Sequence, residues 1–514
     1  MLIDADADGD NIITSQQLTM VASSSETEPL VRLELGKSAQ SSIIYADGED
    51  GTSHDGGEES CNTESDDGIS NQNNKSHGSS VIQTALNMMK MCMGTGTLAL
   101  PFAAEKGGLI FNVVGLALIA SWNYYCANCV LRCRDCLPPR IKRGDSDSDI
   151  ERPSAGQQQL YGSVEGQEDL AQQSNKTKPP PAGTTSYAAV TWYAAGPVGL
   201  LVVDLLMLLL MVMLIIAYEV AMISFIDDMP ITTGSRKIDI IIPSVIVALL
   251  SCSPDVSFLS KFSVVGLLAL ALSFIVIVWQ GLMENGLTGF RSALNLWPRN
   301  VTDASSWFGV VVFGYGIVPF ILNFHNSMKT PKKIGLAMKM GLILVYFGYI
   351  IISSGVMILF SPSHSFDGDV LQALPTNSWL ALLVRLLMTF VVAMTAPLIV
   401  VPCGEMIEGK LGVGVDEGYK RIVVRVLLCV LCTGLAEYAP GFVHIVSFIG
   451  CFCVSIVGFV LPPLFCIQLR HNTRKDEVAK MDFTSHCDLS ALVIGIIATI
   501  LTSTLTFGEM RRSQ

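Results

Sequence analysis

Apolar residues run in stretches of about 20 through most of this chain, separated by short polar connections. A membrane span needs roughly 20 largely apolar residues. Eleven stretches meet this need, at 80–104, 108–133, 198–226, 237–254, 257–282, 305–327, 332–360, 377–408, 418–438, 441–468 and 488–508. The pattern therefore predicts an all-α polytopic membrane protein with eleven transmembrane helices. Two stretches are interrupted by glycine. The first reads Gly94-Thr95-Gly96-Thr97-Leu98-Ala99-Leu100-Pro101, and the sixth reads Phe313-Gly314-Tyr315-Gly316-Ile317-Val318-Pro319. Glycine weakens a helix through backbone entropy, and proline removes a donor and clashes with the preceding turn. In hydrocarbon, such breaks survive only where the freed backbone groups face protein, water or a ligand. Paired breaks five spans apart are the sequence mark of a secondary transporter built as an inverted repeat.

Composition and charge refine this picture. The chain is 50% hydrophobic and 15% charged, against about 25% charged in ordinary soluble domains. Residues 1–79 hold 16 acidic and 3 basic residues, more than the whole chain's net charge of −12. So acidic and apolar-poor a segment reads as a disordered tail. With no apolar run after Met1, no cleavable signal peptide is expected, and the first span must target the chain. A second polar segment, about 137–185, carries Pro179-Pro180-Pro181 and reads as a disordered loop between spans two and three. Residues 80–508 form the transporter domain, and 509–514 a short C-terminal tail. A cytoplasmic N-terminus leaves 22 basic residues on the inside and 7 outside, which the positive-inside rule favours. The sequon Asn300-Val301-Thr302 then faces the far side, whereas those at Asn74 and Asn175 stay cytoplasmic.

Longer motifs narrow the class. The segment from Leu86 to Phe102, which includes Lys90 and the first break, resembles the first-span signature of the amino acid/auxin permease family. Phe313-Gly314-Tyr315-Gly316, running into Asn326-Ser327-Met328-Lys329-Thr330-Pro331-Lys332-Lys333, resembles its sixth span and following loop. Thr395-Ala396-Pro397-Leu398-Ile399-Val400-Val401-Pro402 resembles its eighth span. Val443 to Gly450, with Leu461-Pro462-Pro463-Leu464-Phe465, resembles its tenth. The resemblance covers residues 80–508. It implies a LeuT-type five-plus-five inverted repeat plus one extra helix, moving amino acids with protons or sodium. The chain departs from many relatives at Ile317-Val318-Pro319, where they carry histidine, alanine or serine soon after the break. That departure bears on the substrate, not on the fold.

The physics of such a site follows from the two breaks. A zwitterionic amino acid needs donors for its carboxylate and acceptors for its ammonium. Unwinding over Gly94, Thr95 and Gly96 frees N–H groups, and the half-helix from Thr97 turns its positive end toward the break. Carbonyls before the break, and those near Phe313 and Gly314, accept from the ammonium. Tyr315 or Phe313 closes over the substrate side chain, and Gly316 completes the sixth-span break. The plainer reading is that these glycines only let helices pack closely. Lys90 lies one turn before Gly94, where proton-coupled members of the resembled family carry lysine and sodium-coupled ones asparagine. Its ammonium would occupy the space of a sodium ion; the alternative is a lysine snorkelling to the interface. Thr395 is the hydroxyl best suited to a cation site, since hard cations take oxygen ligands.

Other signals carry less. Asp204 and Glu219, near opposite ends of the third span, read as an interfacial acid and a weak relay candidate. Arg385 and Glu405 flank the eighth span as pairing or snorkelling charges, and His325 and His444 as satisfied structural histidines. Cys126, Cys129, Cys133 and Cys136 have paired CxxC spacing, but 126, 129 and 133 share one helical face. Packing, or palmitoylation of Cys133 and Cys136, is favoured over a metal. Asp6 to Thr14 resembles a calcium loop, with Asn11 in place of glycine and Gln17 in place of the bidentate glutamate. Glu26-Thr27-Glu28-Pro29-Leu30-Val31 resembles an acidic sorting signal for vacuolar or lysosomal membranes; the plasma membrane is the other destination. No nucleotide-binding loop, hydrolase signature, cofactor site or nucleic-acid patch is expected. The sequence thus predicts a non-enzymatic amino acid transporter driven by protons. Sodium coupling, or an amino-acid-sensing receptor of the same fold, is the alternative.

Overall fold

A computed structural model describes residues 78–135, 137, 180–181, 184–227, 229, 235–252, 257–286, 295–360, 368–374, 378–414, 417–473 and 483–512. The acidic tail with its calcium-loop and sorting strings, most of the 137–185 loop and Cys136 lie outside these residues.

The described chain is helical, and its one β-type pairing is an isolated bridge between Ser79 and Met328. The first apolar stretch gives α1 (Val81–Cys92) and α2 (Leu100–Gly107), joined by a 3-10 turn at Thr95–Ala99. A capping box starts α1: Ser80 accepts from the Gln83 N–H, and the Gln83 side chain accepts from the Ser80 N–H. Next come α3 (Leu109–Asp135) and α4 (Ser186–Asp227), the latter two helices joined at a kink where Gly196 adopts φ +67° before Pro197. Helix therefore begins about ten residues earlier than the apolar run, because residues 186–195 pack onto the bundle; Tyr187 Oη donates to Val457 O at 2.7 Å.

α5 (Ile241–Ser251) and α6 (Ser257–Asn285) follow. The sixth apolar stretch divides into α7 (Val301–Gly314) and α8 (Ile321–Ser327), with a 3-10 turn at Val318–Phe320. α9 (Ile334–Ile350) passes through a π turn at Ile351–Gly355 into α10 (Val356–Phe360). The remaining helices are α11 (Trp379–Thr395), α12 (Pro397–Leu411), α13 (Gly418–Glu437), α14 (Phe442–Ile449), α15 (Leu461–Thr473) and α16 (Phe483–Arg512). Among the described residues, seven helical runs are long and apolar enough to cross a membrane, and two shorter apolar helices lie at Ile241–Ser251 and Leu268–Met283. Breaks explain part of the shortfall from eleven: the first stretch is cut into pieces too short to count.

α7 sits in the middle, against α2, α14, the π turn at Gly450–Val454 and α16. The approach of α7 to α14 is set by two glycines. A Cβ on Gly450 would run into the Gly309 carbonyl, and one on Gly309 into the Ser447 carbonyl. α1 lies along α9, α6 along α11, and α4 against α11 and α13. Fully buried Asn112 ties three elements: its Nδ2 donates to Ser353 Oγ (2.7 Å) and Ser354 Oγ (3.1 Å) of the π turn, and its Oδ1 accepts from Trp307 Nε1 (2.8 Å).

The larger described ion-pair groups lie near helix ends. Asp488, fully buried, takes Arg132 at 2.7 Å, Arg470 at 3.0 Å and the Tyr125 hydroxyl at 2.6 Å, joining α3, α15 and α16. Glu405 and Glu408 pair with Arg421 and Arg425. Asp204 pairs with Lys410 at 3.0 Å, as an interfacial acid should. Arg385 is 1% exposed and donates to the Leu371 and Leu374 carbonyls. His325 meets Arg134 at 2.8 Å, and His444 stacks edge-on to Phe102. Cys126, Cys129 and Cys133 are buried, with Cys133 Sγ 3.3 Å from Cys466 Sγ, which is the packing reading. Glu219, read as a weak relay candidate near one end of its span, is fully buried, and its Oε1 accepts from Thr433 Oγ1 at 3.3 Å.

Gly450→Ala is expected to destabilise the bundle by about 1–3 kcal/mol through overpacking. Gly434→Ala, where an added Cβ meets nothing within 4 Å, is the control that leaves it unchanged. Thermal unfolding of the purified protein in detergent reads both.

Candidate functional site

The two breaks face each other. At the first, Met93 leaves the helix with ψ +62° and Gly94 is extended (φ −102°, ψ −160°), so the α-helical ladder stops at Cys92. The chain turns back at once: Thr97 N–H and Thr97 Oγ1 both donate to Gly94 O, at 3.0 and 2.7 Å. Thr95 and Gly96 open the 3-10 turn, so their N–H groups have no acceptor within it. Pro101 sits in the first turn of α2, where its missing donor costs nothing. At the second break, α7 ends at Gly314, Tyr315 caps it, and Pro319 lies in the 3-10 turn before α8.

Phe313 is the point of contact. A Cβ on Gly96 would lie 2.6 Å from Phe313 Cε1 and 2.9 Å from Cδ1. The first-span backbone thus lies directly against this half-buried ring. Gly94 differs: an added Cβ there meets nothing within 4 Å, so open space adjoins it. Gly316 lies against Phe313 O and Val454, and Gly314 against Tyr349. Thr95 and Thr97 are buried, and the Tyr218 phenol of α4 reaches the Thr95 side chain. Tyr315 is fully buried, its ring edge-on to Tyr349 with centroids 5.1 Å apart. It is therefore part of the packed wall, whereas the half-buried Phe313 ring lies against Gly96.

Sequence reasoning missed Tyr349. This residue of α9 is fully buried, and its hydroxyl lies 2.9 Å from both Cys92 O and Gly314 O. It joins the last carbonyl of α1 to the last of α7. The one signal in the sequence was a tyrosine within an apolar span, which needs a partner when buried; nothing in the spacing identified that partner. Tyr218 was missed for the same reason.

The two residues proposed for ion coupling sit apart from this contact. Lys90 is in the last turn of α1, half-buried, and no ion pair reaches it among the described residues. Thr395 ends α11 and donates its hydroxyl to Val391 O at 2.6 Å, which leaves its oxygen lone pairs available. No His, Cys, Asp and Glu group of metal-binding geometry occurs among the described residues.

A membrane bundle with two facing helix breaks and convergent backbone donors and acceptors is the build of a carrier for a small polar solute. The sequence of the family described as transmembrane amino acid transporter protein matches residues 77–161 and 170–507. The chain belongs to that family. Over 443 residues it is 24% identical to amino acid transporter ANT1 of Arabidopsis thaliana, covering 82% of this chain and 92% of that one. It is 20% identical over 437 residues to the proton-coupled amino acid transporter-like protein pathetic of Drosophila melanogaster, covering 81% and 84%. A shorter match, 24% over 206 residues, is to sodium-coupled neutral amino acid symporter 2 of Danio rerio, covering 37% and 39%. Among solved structures, MhsT in complex with L-phenylalanine aligns at 10% identity with a TM-score of 0.45, covering 84% of this chain and 99% of that one.

Gly96→Val is expected to abolish radiolabelled amino acid uptake with surface expression largely intact, because its branches would occupy the Phe313 ring position. Gly94→Ala is expected to retain at least about half of wild-type uptake, since its methyl enters open space. Equal loss at both positions would contradict this geometry.

Proposed function

We propose that the chain is a secondary active transporter that carries amino acids across a membrane by alternating access, coupled to protons. The observation that supports it is the meeting of the two breaks at Gly96 and Phe313. The substrate carboxylate lies at the Thr95 and Gly96 N–H groups, at the positive end of the turn that leads into α2. The ammonium lies at the Cys92 and Gly314 carbonyls, and Phe313 closes over the side chain. The architecture read with this function is the eleven-span one, with spans one to five and six to ten related as an inverted repeat and an eleventh span added. The N-terminus is cytoplasmic, and an acidic vacuole or lysosome supplies the gradient.

Lys90 carries the proton in this reading. Its ammonium braces α1 with the positive charge that sodium would bring between the first and eighth spans. Losing and regaining that proton biases the bundle between its two facing states. Sodium is the second reading: Thr395 Oγ1 and the carbonyls near Met93 are oxygen ligands suited to a hard cation. The relatives' names include one proton-coupled and one sodium-coupled protein.

The test is uptake into proteoliposomes with sodium, without sodium, and across an imposed pH step. Accumulation is expected to follow the proton gradient and to ignore sodium. Lys90→Met is expected to flatten the pH dependence, with no rescue by sodium. Transport that is flat across pH but rises with sodium reverses the ion assignment. Binding without gradient-driven accumulation replaces the transporter reading with a receptor.

A further inference from the structure

The Tyr349 hydroxyl has one hydrogen and two acceptors. Cys92 O and Gly314 O both lie 2.9 Å from it, on the two chain segments that lose their helical partners at the breaks. Each carbonyl has two lone pairs. One shared hydrogen therefore leaves both with acceptor capacity. The placement of this phenol is built in from several sides. Tyr315 packs edge-on against its ring. A Cβ on Gly314 would lie 2.6 Å from its hydroxyl oxygen. Gly348 beside it faces Met93, where an added Cβ would lie 3.1 Å from the methionine methyl. Gly341, two turns earlier, lets α9 lie against Ala85 and Met88 of α1. Tyr349 is fully buried, so no bulk water competes for the hydrogen.

We propose that Tyr349 is the positioning residue of this site: its shared hydroxyl hydrogen holds the Cys92 and Gly314 carbonyls in register and leaves both oriented to accept from a substrate's ammonium group. The inference rests on the amino acid site described above. An ammonium carries several donor hydrogens where the phenol carries one, so substrate adds the donors that the pair of carbonyls lacks. Without the hydroxyl, one buried and one half-buried acceptor seek other donors, and the breaks lose the link that spans them.

Tyr349→Phe removes the hydroxyl and keeps the ring that packs on Tyr315. Two measurements on the full-length protein decide the matter. In the first, spin labels on an unnatural residue at Met91 and at Phe320, which flank the breaks and leave all 14 cysteines in place, report the distance between the segments. No substrate is added. A narrow distribution is expected for the otherwise native chain and a clearly broader one with Tyr349→Phe. Equal widths overturn the proposal. In the second, uptake of a small neutral amino acid such as L-alanine is measured in proteoliposomes. KM is expected to rise about tenfold with Vmax within about twofold, the loss of one buried hydrogen-bond link. A fall in Vmax at unchanged KM places the hydroxyl in the conformational step and also overturns the proposal. If the native chain accumulates no amino acid, the transport reading has failed, and the distance measurement alone decides on Tyr349.

Discussion

Everything in this bundle answers to the cost of an unmet backbone hydrogen bond in hydrocarbon. Such a group costs about 2–7 kcal/mol without a partner, so a broken helix in a membrane has to be met by something. Here the breaks meet each other's partners. The Cys92 and Gly314 carbonyls share Tyr349, and Gly94 O takes both donors of Thr97. Within the first turn the N–H groups of Thr95 and Gly96 have no acceptor, and in the proposed function they meet the substrate carboxylate. The accounting separates the two kinds of group by position: donors gather on the first break, while acceptors are held jointly by both.

The surrounding helices make that meeting possible by letting backbones approach. α7 and α14 touch at Gly309 and Gly450, where no side chain would fit. α9 comes close to α1 at Gly341 and to Met93 at Gly348, which brings the next residue, Tyr349, to the gap. π turns at Ile351–Gly355, Gly450–Val454 and Ile456–Val460 interrupt the regular ladder close to the same region, a common arrangement around functional sites. At the far ends of the broken spans, the two halves are clasped: Ser79 N–H donates to Ser327 O at 2.8 Å, and Lys329 N–H to Ser79 O at 3.0 Å. The entry to α1 and the exit from α8 are therefore tied by backbone.

What the sequence disclosed followed from local rules. Glycine and proline weaken helices, so Gly94 to Pro101 and Gly314 to Pro319 could be read as breaks, and helix occupies each apolar stretch. What it hid depended on which helix face meets which. Nothing near Tyr349 distinguishes it from Tyr346, three residues earlier. Tyr349 is fully buried between two carbonyls, whereas Tyr346 is half-buried beside Phe347. Tyr315 and Phe313 could not be told apart for the same reason; Tyr315 is fully buried and Phe313 half-buried. The burial of Glu219 was not legible because its place along the span says nothing of its face: α13 covers it there with Thr433. The start of α4 was missed because residues 186–195 lack a long apolar run, and tertiary contact, not hydropathy, makes them helical.

Charge is distributed in a way that fits the proposed cargo. The described ion pairs sit at the ends of the helices, in the Asp488, Glu405–Glu408 and Lys106–Asp303 groups. The walls of the two breaks are instead glycine, threonine, phenylalanine and tyrosine, which offer dipoles and no net charge. A fixed charge in such a dry place would need a permanent counter-charge. A zwitterion brings its own, and backbone donors and carbonyls a few ångströms apart can serve its two ends without desolvating any ion of the protein. Cargo with a net charge would lack that compensation between the breaks. Lys90, one turn before Gly94 on α1, is the charged side chain to which the proposed proton coupling is assigned.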